Sequence, residues 1–226
     1  MKECLLATGF TLLTILSVPA PHSGNPAATA LSYEDTSYTK VITERSGKIV
    51  ATLGISDSSV YYRVRGLIVD QYRALNAIYT DRDTKIKALK EGQPAPDKQT
   101  VDSVRKDLEK EVDARVQPLH SAYLARLGKE LSPAQVDKVK DGMTYSVLEV
   151  TYRGYLEELP SLTEVQKARI LSDLTEAREH AMDAESSEKK HAWFGKYKGR
   201  INNYLSAEGI DMKKAGEDWQ KRLKGQ

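Results

Sequence analysis

Cysteine is almost missing from this chain: Cys4 is the only one among 226 residues. It lies at the start of an apolar run, so from residue 5 onward there is no thiol to form a disulfide, act as a nucleophile or hold zinc. An excess of charge is missing too. With 34 basic and 32 acidic residues the formal net charge is +2, and no global field draws the protein onto nucleic acid. Long apolar stretches are lacking: the most apolar run, Leu5 to Val18, falls short of the roughly 20 residues that span a bilayer. No Gly-rich phosphate loop, G-x-S-x-G elbow or H-E-x-x-H pair occurs. Nucleotide hydrolysis, ordinary serine esterase chemistry and zincin proteolysis are thereby disfavoured. No motif specifies a cofactor, and no metal site is assigned.

What the N-terminus does contain reads as an export signal. Met1-Lys2-Glu3 is a short polar start, the apolar run follows, and Ala28-Thr29-Ala30 fits a small-residue cleavage site. The expectation is a signal peptide over residues 1–30 and a single helical domain over 31–226, in the periplasm or outside the cell. Cleavage after Ala20 is the alternative, with Pro19 to Pro26 then a tether. A lipidated cysteine would follow the apolar run, whereas Cys4 precedes it.

Downstream, apolar residues recur at helical spacing, which predicts an all-α irregular bundle of about six to seven helices. A first helix is expected over Tyr38 to Leu53, stopped by Gly54. A second, capped by Ser56 or Asp57, carries the stripe Val60, Val64, Leu67, Ile68, Tyr72, Leu75 and Tyr79 to about Lys90. Gly92, Pro94 and Pro96 break the chain before a third helix over Asp97 to Glu130, in which Pro118 predicts a kink. Ser132-Pro133-Ala134-Gln135 and Thr163-Glu164-Val165-Gln166 both have the capping-box pattern, a hydroxyl at N-cap and a glutamine three residues on. Helices are expected from Thr163 to Met182, Ser187 to Ala207 and Met212 to Leu223. Asp141 to Pro160, rich in Tyr and Gly, reads as one long loop, within which Gly142 would allow a turn.

Three groups of residues could carry chemistry. Glu176, Glu179, His180 and Asp183 fall at i, i+3, i+4 and i+7 on one helical face, placing carboxylates beside an imidazole as general acid–base chemistry requires. The same stripe also fits a solvated face opposite Leu171, Leu174, Ala177 and Ala181. The next helix has no acidic residue from Lys189 to Leu205. Lys189, Trp193, Lys196, Arg200 and Asn203 share one of its faces, with Tyr197, Lys198 and Asn202 close by, while Phe194, Ile201 and Leu205 should be core. Cations interleaved with an aromatic ring suit an anionic sugar; pairing with the acidic helix before it is the plainer reading. Asp141 and Tyr145 form the third group, at a predicted helix end beside Gly142. His120, two residues beyond Pro118, reads as a packing residue held in reserve.

The segments Val136 to Tyr145, Glu176 to Asp183 and Lys190 to Leu205 resemble the secreted bacterial family catalogued as domain of unknown function 3826. The resemblance implies an exported helical protein of polysaccharide-utilisation systems, with no activity established for the family. The paired Leu-Ser/Thr-x-x-Gln segments also resemble those of small periplasmic helical chaperones. The leading expectation is a protein that acts on or binds an acidic, pectin-like polysaccharide, by β-elimination if it is an enzyme. In that case Lys196, Arg200 and Asn203 would neutralise the uronate carboxylate, His180 or Tyr197 would take the proton, and Trp193 would be the sugar platform. Glu176 or Glu179 with Asp183 would serve a hydrolase. The alternatives are a non-catalytic glycan-binding or envelope accessory protein, and a holdase-like chaperone.

Overall fold

Side-chain oxygens placed just before apolar runs start most of the helices. Asp57 accepts from the backbone N–H groups of Ser59 and Val60 at 2.7 and 3.3 Å, and Asp97 accepts from Thr100 at 2.6 Å. Each satisfies donors that a helix start leaves unpaired. In both predicted capping boxes the two reciprocal bonds are present, at Ser132/Gln135 and Thr163/Gln166. The computed structural model describes residues 26–94 and 96–225, with side chains from residue 37 onward. Its elements are α1 (Pro26–Ala51), α2 (Ser58–Glu91), α3 (Lys98–Glu130), α4 (Pro133–Met143), α5 (Val147–Glu158), α6 (Glu164–Met182), α7 (Ser187–Ala207) and α8 (Met212–Lys224). Among the described residues the fold is all-α, as the periodicity implies. The export segment expected over 1–30 lies outside the residues with described side chains, and its first 25 lie outside the described residues altogether. No described helix is long and apolar enough to cross a membrane.

The chain divides into two compact units, Met1–Tyr38 and Thr39–Gln226. The first contributes only the N-terminal turns of α1 to the described residues; the second holds the rest of α1 and α2 to α8. There α2 and α3 form an antiparallel hairpin. Its ion pairs Arg63–Glu130, Arg126–Asp70, Arg115–Asp81 and Lys85–Glu111 climb one helix as they descend the other. The exposed faces of both helices are charged, and the seam is apolar: Val64, Ile68, Leu75 and Ile78 from α2, Leu108, Val112, Tyr123 and Leu127 from α3. Pro118 lies inside α3 without ending it. Its missing N–H removes the hydrogen bond that the Ala114 carbonyl would accept.

A second antiparallel pair, α6 and α7, packs with α5 and α8 around Leu159, Ile170, Leu174, Ala177, Phe194, Ile201 and Leu205. Burial of each large side chain contributes about 1.5–3 kcal/mol. Phe194, Ile201 and Leu205 are thus core, as expected, whereas Leu171 is exposed.

The expected long loop over Asp141 to Pro160 is overturned, since α5 occupies most of it. Leu148, Tyr152, Tyr155, Leu156 and Leu159 recur every three or four residues and face the α6–α7 core. That helical stripe outweighs the brief alternation over Val147 to Tyr152 and the unfavourable Gly154. The turn is made elsewhere than predicted. Gly142 belongs to α4, and a Cβ built there would meet Ile49 Cγ1 at 2.8 Å, so its glycine serves the close crossing of α1 and α4. The left-handed residues of the turn are Tyr145 (φ 59°) and Ser146 (φ 54°).

Candidate functional site

Between the two hairpins lies an open cleft of about 1020 Å³. One wall is α2 and α3, contributing Tyr79, Arg82, Glu109, Asp113, Pro118 and His120. The other is the C-terminal end of α6, the α6–α7 connection and the start of α7, contributing Glu179, His180, Asp183, Glu185, Lys189 and Trp193. Five of the residues singled out in the sequence, Glu179, His180, Asp183, Lys189 and Trp193, meet here.

At its centre is a residue that sequence reasoning set aside. His120 Nδ1 stands 2.6 Å from Asp183 Oδ2, and its Nε2 stands 3.6 Å from Glu179 Oε2, beyond hydrogen-bond reach. The imidazole is 21% exposed and the Asp183 carboxylate 11%. The Asp183 carboxylate beside it raises the pKa of His120 above 6.5, against the opposing effect of burial. Asp183 ends α6, and its own position is fixed on several sides. The Tyr79 hydroxyl donates to its carbonyl at 3.0 Å and Gln71 Nε2 donates to its carboxylate at 3.4 Å. Just upstream, buried Lys190 donates from Nζ to the carbonyls of Ala181 and Met182, both at 2.9 Å, closing the C-terminus of α6. Burial brings the Lys190 ammonium down to about 8. Glu179 is held by Lys140 Nζ at 2.9 Å. Arg82 on the opposite wall is neutralised by Asp83, Glu109 and Glu185.

His180 stacks on Trp193, ring centroids 4.4 Å apart and planes 14° from parallel. Lys196 Nζ is 4.8 Å from the same indole centroid, which the stacked imidazole confines to the other face. A sugar reaches the Trp193 face only by displacing this ammonium, a contact worth about 0.5–1 kcal/mol at an exposed site. Among the described residues neither Lys189 nor Lys196 has a carboxylate within ion-pair distance.

The remaining predicted site residues lie outside the cleft lining. Arg200 bonds Glu176 at 3.1 Å and approaches buried Asp173 at 3.3 Å, so it is matched within the fold. Burial and the bond to Glu176 push the Tyr197 phenol up to about 12, which suits a donor and not a base at neutral pH. Its hydroxyl in turn holds the Glu176 carboxyl below the usual range. Asn202 accepts from the Tyr155 hydroxyl at 2.7 Å, and Lys198 and Asn203 are exposed on α7. Asp141 accepts from Arg178 at 2.8 Å, and Asp137 binds the same guanidinium, which is only 8% exposed. Tyr145 stacks on His191 with planes 10° from parallel. His180, Arg200 and Tyr145 therefore do not converge. The signal for His120 was its place on the helix face two residues past a proline; its partner Asp183 is 63 positions away, a separation that no local spacing rule covers. Among the described residues no group of three or more His, Cys, Asp or Glu side chains is arranged to hold a metal ion.

Fold and site together define an all-α helical protein with a carboxylate- and histidine-lined cleft between two hairpins. The chain matches the family described as Protein of unknown function (DUF3826) over residues 39–225, and it belongs to that family. No curated protein matches it.

Proposed function

We propose that this protein is exported, binds an acidic polysaccharide across the α2–α3/α6–α7 cleft and cleaves it by proton transfer through His120. The observation that carries this reading is the His120–Asp183 pair. Asp183 takes up Nδ1, which fixes the tautomer and leaves Nε2 as the working nitrogen in an open cleft. In a β-elimination, neutral His120 takes the proton from C5 of a uronate, the electron pair forms the C4–C5 double bond, and the C4–O4 bond breaks. The imidazolium then returns a proton to the departing oxygen. Lys189 and Lys196, four residues before and three after Trp193, are the cations free to meet the uronate carboxylate and stabilise the enolate-like charge. His180 keeps the Trp193 ring in place, and Arg200 is replaced in this scheme by Lys189.

The test is incubation of the purified protein with pectin, alginate and glycosaminoglycans, following ultraviolet-absorbing unsaturated products and new reducing ends. Activity should rise with pH through the raised pKa of His120, because the base is the neutral form. It should vanish in His120→Ala and persist in Arg200→Gln. A profile that instead falls with rising pH would assign the imidazolium as an acid and a hydrolytic reaction. Retention on these polymers without product would leave only the binding function. Neither retention nor product, with suppression of aggregation of unrelated proteins, would replace the glycan reading by a chaperone.

A further inference from the structure

Outside the cleft, α1, the α4–α5 turn and α7 bring together a cation and two rings. Arg45 lies with its guanidinium carbon 5.8 Å from the Tyr72 ring centroid and 6.0 Å from that of Tyr145. It is half-buried, yet among the described residues no carboxylate reaches it. Arg82 and Arg178, also withdrawn from solvent, are each neutralised by at least two carboxylates, whereas half-buried Arg65 lies 4.9 Å from the Tyr62 ring centroid. A partly desolvated cation without a counterion is a place where an anion gains.

The backbone beside it points the same way. Tyr145 and Ser146 are both left-handed, a conformation that suits glycine or asparagine and disfavours a large side chain. The turn is held by Ser146 N–H on the Asp141 carbonyl at 2.8 Å and by the Thr144 hydroxyl on the Lys140 carbonyl at 2.8 Å. Reversing the chain there requires no tyrosine. What glycine would lack is the ring, which is 42% exposed, 5.7 Å from the exposed His191 ring, and beside Arg45. Strain kept at a surface aromatic is a functional signal when a ligand-ready group adjoins it.

We infer that Arg45, Tyr145 and His191 form a second subsite, outside the cleft, for a sugar ring carrying an oxyanion, with the guanidinium on the anion and the Tyr145 ring against the sugar. The choice of a sugar rests on the polysaccharide reading; the anion does not. A uronate carboxylate and a sugar sulfate ester share this chemistry.

The experiment follows the His191 imidazole and the Arg45 Nε–H by NMR while galacturonate, galactose 6-sulfate or galactose is added to the full chain. At least one anionic sugar should shift both signals and galactose should shift neither. Arg45→Gln and Tyr145→Gly should weaken binding by about tenfold or more, while His120→Ala should leave it unchanged. Tyr145→Gly suits the left-handed backbone and so keeps the fold, which thermal melting checks. Shifts that survive Arg45→Gln, equal shifts with galactose, or none with either anion at about 10 mM would overturn the subsite. Shifts at His191 with no polymer cleaved would support the subsite and end the catalytic proposal. Cleavage of a polyuronate with His191 unmoved would do the reverse.

Discussion

Replacing Asp183 by asparagine removes one charge from the cleft at nearly constant volume, and the structure gives its cost and its pH dependence. Asp183 loses a 2.6 Å charge-assisted bond to His120 and weakens a 3.4 Å bond from Gln71. With the two side chains 11% and 21% exposed, solvent screens the pair little, and a hydrogen bond to a charged group contributes about 1.5–3 kcal/mol. About 2 kcal/mol is therefore the expected loss of unfolding free energy where His120 is protonated. The sign with pH follows from the raised pKa. The folded state binds the proton more tightly than the unfolded chain, whose value is near 6.5. The contribution is fully present below that value and is lost as pH rises through the folded pKa. Urea unfolding of wild type and Asp183→Asn at about pH 5.5 and about pH 8.5 should show a gap that narrows at the higher pH. Some gap remains, because neutral Nδ1–H still donates to the carboxylate. The His120 Cε1–H resonance should titrate at lower pH in the variant. A gap independent of pH, or an unmoved titration, would refute the dyad.

Three further perturbations test the frame around the site. Gly142→Ala places a Cβ 2.8 Å from Ile49 Cγ1, and overpacking of this kind costs about 1–3 kcal/mol; Ile49→Ala in the same chain should recover part of it, read as coupling in a double-mutant cycle by urea unfolding. Ser146→Gly relieves a left-handed serine (φ 54°) and should stabilise the protein by about 0.5–1 kcal/mol after glycine's own entropy loss, seen as a higher melting temperature. Lys190→Met leaves the Ala181 and Met182 carbonyls without their donor and should destabilise by about 1–3 kcal/mol. Because the Lys190 pKa drops from 10.5 to about 8 on folding, the unfolded chain binds more protons between those values. Wild-type stability relative to the variant should then rise across that range, and a flat difference would count against a buried ammonium.

The all-α class and most helix boundaries were legible because capping chemistry is local. Asp57, Ser132 and Thr163 each act on residues two or three positions away, and a sequence displays that spacing directly. The core of α7 was legible for the same reason, through the 3.6-residue period of Phe194, Ile201 and Leu205. Helix α5 was not, because Gly154 and four β-branched or tyrosine residues at its start speak against a helix until the α6–α7 core is there to receive its apolar stripe. The site was half legible. His180, Asp183 and Trp193 lie on consecutive helices of one hairpin and were found together, but His120 comes from the other hairpin. Arg200 and Asp141 illustrate the opposite error. Their partners Glu176 and Arg178 sit on a neighbouring helix, and a charge that reads as available in a linear sequence is consumed in the packed bundle.

That consumption decides where an acidic ligand could place its charge. The cleft is lined by the carboxylates of Glu109, Asp113, Glu179, Asp183 and Glu185 against the fixed cations of Arg82 and Lys189, and Arg82 is already matched by three acids. A uronate carboxylate lying deep in this cleft would meet the Asp183 carboxylate, only 11% exposed and so poorly screened by solvent. On the proposed reading it would instead lie at the α7 rim, where Lys189 and Lys196 flank Trp193 without acidic partners among the described residues. Binding should therefore weaken with salt through these two lysines, whereas proton transfer, governed by a pair only 11% and 21% exposed, should be far less sensitive to it. Lys189→Gln with Lys196→Gln should remove most of the salt dependence of KM and leave the pH dependence of kcat in place. Equal effects on both would place the ligand's charge in the cleft instead, beside His120.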